Sequence, residues 1–123
     1  MTRAVEEDIV FEQGATHTVT WDVEDSGGPV DLTAYSARMQ VRSGPRRDAG
    51  LWFTFTSEED SGTSVPVLEL NVGSISITFP SDWSDPLIPF AGYFDVRLTA
   101  PDGAVEFTRR GRFILLASIT APA

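Results

Sequence analysis

The sequence predicts an all-β fold, a sandwich or barrel of about eight or nine short strands, in one domain spanning residues 1–123. Three observations lead there. Apolar residues recur with a period of two along most of the chain. Turn-forming residues stand where each alternating run stops. No run of helical period is longer than about one turn.

The runs can be taken in order. From Thr16 to Val23, the residues His17, Val19, Trp21 and Val23 share one face and Thr16, Thr18, Thr20 and Asp22 the other. From Tyr35 to Arg42, Tyr35, Ala37, Met39 and Val41 oppose Ser36, Arg38, Gln40 and Arg42. Side chains on a strand alternate sides, so each run has one face for a core and one for water. Leu51, Phe53 and Phe55 align next, against Trp52, Thr54 and Thr56. Leu68, Leu70 and Val72 come after them, then Ile75, Ile77 and Phe79, then Phe94, Val96 and Leu98 against Tyr93, Asp95 and Arg97. Val105 and Phe107 mark a short strand, and Phe113 to Ile119 a last one.

Asp25-Ser26-Gly27-Gly28-Pro29 reads as a hairpin loop, and Asn71-Val72-Gly73 as a tight turn. Ala100-Pro101-Asp102-Gly103 has proline second and glycine fourth, the order of a β-turn. Ser43 to Gly50 and the acidic Glu58 to Ser64 read as loops. Between Pro80 and Pro89, Ser81 can cap one helical turn before Pro86 ends it. Gly111, between charged residues and an apolar run, suggests a bulge.

Composition narrows the function. The chain has no cysteine and one histidine, so zinc-type sites lack ligands. No segment approaches the roughly 18 apolar residues of a membrane span, and the acidic N-terminus does not read as a signal peptide. A net charge of −9 disfavours nucleic-acid binding. His17 lies mid-strand among threonines, without a nucleophile elbow, and reads as a packed or half-exposed strand residue. The clusters Glu6-Glu7-Asp8 and Glu58-Glu59-Asp60 lack the alternating pattern of a calcium loop and read as solvated charge. No catalytic residue, metal or cofactor is assigned, and the expectation is a non-enzyme.

The remaining features suit contact with other proteins. All nine basic residues are arginine, whose planar fork pairs with carboxylates in fixed geometry. The candidate interface residues are Arg38, Gln40, Arg42, Arg46, Arg47, Trp52, Trp83, Arg109 and Arg110. Arg38, Gln40 and Arg42 project together and are expected to pair with acids on an adjacent strand, or to reach a neighbour. Trp52 is either exposed for an interface or covered by a second sheet.

Phe11 to Thr16, Trp21-Asp22-Val23 and above all the run from Gly28 to Arg42, with Asp31-Leu32-Thr33-Ala34-Tyr35-Ser36-Ala37-Arg38-Met39-Gln40-Val41-Arg42 at its centre, resemble small bacteriophage virion structural proteins. Gly92 to Leu98, Pro101-Asp102-Gly103 and Arg110 to Phe113 resemble the second half of the same proteins, and the pattern is similar to the N-terminal domain of siphophage upper baseplate proteins. Ala34 stands where those proteins usually carry glycine. The resemblance spans nearly the whole chain. It implies an immunoglobulin-like antiparallel β-sandwich, located in the virion, that docks other virion proteins of tail, baseplate or adaptor and is oligomeric in the particle. A capsid decoration protein stabilising the head shell is the alternative. A carbohydrate-binding module, using Tyr93, Trp52 and Trp83 as platforms, is a lesser one.

Overall fold

The alternating runs become strands whose apolar sides meet. The computed structural model describes residues 4–58 and 65–121. In chain order the strands are β1 (Val5–Glu6), β2 (Ile9–Glu12), β3 (His17–Asp22), β4 (Glu24–Asp25), β5 (Gly28–Pro29), β6 (Ser36–Arg42) and β7 (Leu51–Thr56). Then come β8 (Leu68–Asn71), β9 (Ser74–Phe79), the one-turn helix α1 (Ser81–Ser84), β10 (Phe90–Thr99) and β11 (Val105–Leu116). Glu59 and Asp60 of the second acidic cluster, with the rest of that loop to residue 64, lie outside the described residues.

The larger sheet has the order β11-β10-β6-β7, with β1 and β2 on the free side of β11. The smaller sheet has the order β3-β9-β8, and β4 and β5 form a separate hairpin. This is the immunoglobulin-like arrangement, in which the third, sixth and seventh strands of the basic set build one sheet and the second, fifth and fourth the other. One feature departs from an antiparallel sandwich. β1 and β2 run parallel to β11 and keep a single register, Val5 opposite Arg109 and Ile9 opposite Phe113.

The core lies between the sheets. Met39, Val41, Val96 and Phe113 of the larger sheet and Ile75, Ile77 and Phe79 of the smaller are fully buried. Each such side chain contributes roughly 1.5–3 kcal/mol on burial. Phe79 ties the layers together, with ring centroids of Phe11, Phe55, Trp83 and Phe113 at 5.0, 5.7, 5.4 and 5.4 Å.

The Asp31 turn before β6 forms as its residues suggest. The Asp31 carboxylate accepts from the Thr33 backbone N–H at 3.0 Å and the Thr33 hydroxyl at 2.7 Å, and these bonds lower its pKa. Tyr35 N–H donates to the Leu32 carbonyl at 3.0 Å, and Leu32 is buried. No non-glycine residue among those described has positive φ, so Ala34 fits this turn without strain. The Pro101-Asp102-Gly103 turn also forms, closed by Gly103 N–H to the Ala100 carbonyl at 2.9 Å, with Gly103 at φ 92.

Four expectations are corrected. Val105–Leu116 is one strand of 12 residues, not two, and it ends before Ile119, which is fully exposed. The bulge in this strand is at Thr108, not Gly111: Val96 faces Arg109 and Arg97 faces Phe107, which leaves Thr108 without an opposite residue. Gly111 marks a close approach instead, since a Cβ there would collide with the Glu7 carbonyl. Finally, Pro80 rather than Ser81 is the N-cap of α1, with no side-chain cap bond. The helix is held from outside: buried Ser84 accepts Gly14 N–H at 2.9 Å, and Gln13 donates to the carbonyls of Asp85 and Leu87 at 3.0 and 2.6 Å.

Candidate functional site

The strand registers place the polar sides of β6, β10 and β11 in rows across the outer face of the larger sheet. In the first row Arg38 faces Arg97, and Arg97 faces Phe107. In the second, Gln40 faces Asp95, Asp95 faces Arg110, and Arg110 faces Glu6 of β1. In the third, Arg42 faces Tyr93 and Tyr93 faces Arg112, whose backbone N–H donates to the Asp8 carboxylate at 2.9 Å. The β6–β7 loop brings Arg46 and Arg47 to the same side. Together these elements line a shallow concavity of about 960 Å³. Seven of the nine arginines of the chain border it, with three carboxylates, Glu6, Asp8 and Asp95.

The rows differ in how far the chain satisfies them. In the middle row, burial raises the Asp95 carboxyl above its ordinary pKa, while the guanidinium groups of Arg110, Arg47 and Arg42 pull it down. Arg110 also reaches Glu6 at 3.9 Å, an exposed and weak pair. Arg42 donates to the Ala49 carbonyl at 2.9 Å and to Gln40 at 3.0 Å, and so holds the loop after β6. Arg46 pairs with Asp48 at 3.3 Å, both exposed. The guanidinium groups of Arg38 and Arg97, in the first row, have no carboxylate within 4.0 Å among the described residues. Arg38 therefore faces a like charge, where residue order alone suggests an acid on the neighbouring strand.

Six of the nine candidate interface residues meet here: Arg38, Gln40, Arg42, Arg46, Arg47 and Arg110. The other three do not. Arg109 is buried, donating from Nη2 to the Asp22 carbonyl at 2.6 Å and from Nη1 to the Thr108 carbonyl at 2.9 Å, with Nε 3.5 Å from the Glu7 carboxylate. It ties β11 to the end of β3. Trp83 packs into the core edge against Phe53, Phe55 and Phe79. Trp52 stays 42% exposed, but a register shift between Val41 and Arg42 takes it out of alternation. Its ring lies over Gly92 and meets Phe90 edge-on at 5.1 Å.

Sequence reasoning misses Arg97, Arg112 and Phe107 as members of this face. Arg97 is visible in the alternation of β10. Phe107 is not, because the Thr108 bulge sets which side it takes.

His17 lies away from this face and stacks on Phe11, with centroids 5.0 Å apart and planes 7° apart. Tyr93, Trp52 and Trp83 sit in three different surroundings and make no common aromatic platform. Among the described residues, no three histidine or acidic side chains come together as metal ligands. No protein-family model matches the chain, and no curated protein matches it.

Proposed function

We propose that the chain is a non-enzymatic structural subunit of a bacteriophage particle, a tail, baseplate or adaptor component that docks neighbouring virion proteins. The observation that carries the docking role is the concave arginine face. It is built on a sheet whose inner side is fully packed, so the guanidinium groups are presented from a rigid base. Part of its charge has no carboxylate partner among the described residues. A surface of this kind gains from a complementary neighbour. The assignment to a phage particle rests on the resemblance of residues 28–42 and of the segments from Gly92 onward.

The test is location. Cryo-EM of intact particles carrying the protein is expected to place it at the tail, baseplate or adaptor, at a few to dozens of copies. Hundreds of copies spread over the head shell would replace this reading with a decoration protein. Absence from the particle would overturn it.

A further inference from the structure

We propose that the outer face of the larger sheet binds a carboxylate-rich segment of another polypeptide, with Arg38 and Arg97 as its anchoring pair. This rests on the docking role above and names the chemistry of the partner.

The first argument is charge distribution. A chain of net charge −9 gathers seven of its nine arginines around one concavity. The only other arginine among the described residues is Arg109, which is buried and paired. Screening in salt limits the reach of charges to about 8–10 Å, so a partner at this face meets the arginines before the distant acids.

The second argument is the pairing of Arg38 with Arg97. Directly opposed like charges on neighbouring strands destabilise a sheet. An acid at either position would relieve the repulsion, as Asp95 does one row away. A carboxylate arriving between the two forks removes it in the complex, and a guanidinium can bind a carboxylate through two parallel hydrogen bonds. Phe107, half-buried, flanks Arg97 on the other side and adds an apolar surface beside the pair.

The third argument separates protein from nucleic acid. Glu6, Asp8 and Asp95 are spread through the second and third rows. A phosphate backbone has no hydrogen-bond donor to set against these acids, whereas the backbone N–H groups of a polypeptide can donate to them.

The experiment uses the full chain and a fluorescein-labelled ten-residue glutamate peptide, with fluorescence anisotropy as the readout. The expected result is saturable binding that weakens with salt and falls at least tenfold in Arg38→Glu/Arg97→Glu. A thymidine ten-mer should bind more weakly than the peptide. Arg38→Gln/Arg97→Gln, which removes both charges and also the repulsion, keeps the test readable if the reversed variant misfolds; it should weaken the peptide severalfold. Sedimentation velocity of the chain alone adds a further outcome. Self-association abolished by the same variants would make the acidic partner a second copy and support the proposal. No saturable peptide binding, binding unchanged in both variants, or tighter binding of the oligonucleotide would overturn it. A null result here leaves the position in the particle untouched, because cryo-EM measures that separately.

Discussion

The two outer faces of the sandwich obey the same alternation and end in opposite states. On the smaller sheet the outward residues are Thr18, Thr20 and Asp22 of β3, Ser74, Ser76 and Thr78 of β9, and Glu69 and Asn71 of β8. Hydroxyls face hydroxyls: Thr18 is opposite Thr78, and their Oγ1 atoms are 2.9 Å apart. This face is short, dominated by neutral groups and able to satisfy itself. The larger sheet places Arg38 opposite Arg97 and gives neither a carboxylate among the described residues. Binary patterning alone makes the two faces equivalent. What separates them is which polar residue occupies each outward position, and whether the register supplies its complement.

Substitutions probe this contrast. The largest effect is expected beneath the arginine face, at Gly111. Gly111→Ala places a methyl against the Glu7 carbonyl and should cost about 3 kcal/mol in urea unfolding. β1 should detach from β11 first, with faster amide exchange over residues 5–8. Next is Arg109→Met, which keeps the stem but loses the bond to the Asp22 carbonyl. It should cost about 2 kcal/mol, far more than removal of any arginine of the outer face. If Arg38→Gln proved as costly as Arg109→Met, the distinction between tying and docking arginines would fail. Instead, Arg38→Gln should raise stability by about 0.5 kcal/mol through relief of the Arg97 repulsion. Thr18→Val on the opposite face should change it by less than about 0.5 kcal/mol.

Asp95→Asn tests the middle row by pH. Burial raises the folded pKa of Asp95 above its unfolded value, so the folded state holds the proton more tightly. Its contribution is therefore favourable in acid and is lost as pH rises through the raised folded value. The Asn variant should lack this fall and be the more stable protein at neutral pH. Asp31 has the opposite sign. Its pKa is lowered by Thr33, so its contribution is present at neutral pH and lost as pH falls through the lowered value. Thermal melts of wild type, Asp95→Asn and Asp31→Asn across acidic to neutral pH separate the two.

Much of this is legible from residue order. Period-two runs locate nearly every long strand, and the Asp31-Leu32-Thr33 and Pro101-Asp102-Gly103 turns form through their own residues. Arg38, Gln40 and Arg42 can be assigned to one outward face because nothing interrupts alternation between Ser36 and Val41. The failures cluster at irregularities that depend on a partner strand. Trp52 turns away from Thr54 because of a register shift against β6, and no local residue signals that shift. Arg109-Arg110-Gly111-Arg112 reads as one basic patch, but Arg109 points inward and Arg110 outward. Residue type alone marks Trp83 for an interface, while the packing of α1 over Phe79 settles its place.

The unmatched Thr108 also decides where the last hairpin can change length. Because Thr108 faces no residue of β10, its removal lets the ladder close with Phe107 still beside Arg97 and Arg109 still beside Val96. Loss of a residue from the regular stretch of β11 has the opposite result, turning every side chain between the gap and the hairpin tip inside out. The bulge is thus a spare link, a place within β11 where a shortened strand keeps the same residues indoors and the same residues outdoors.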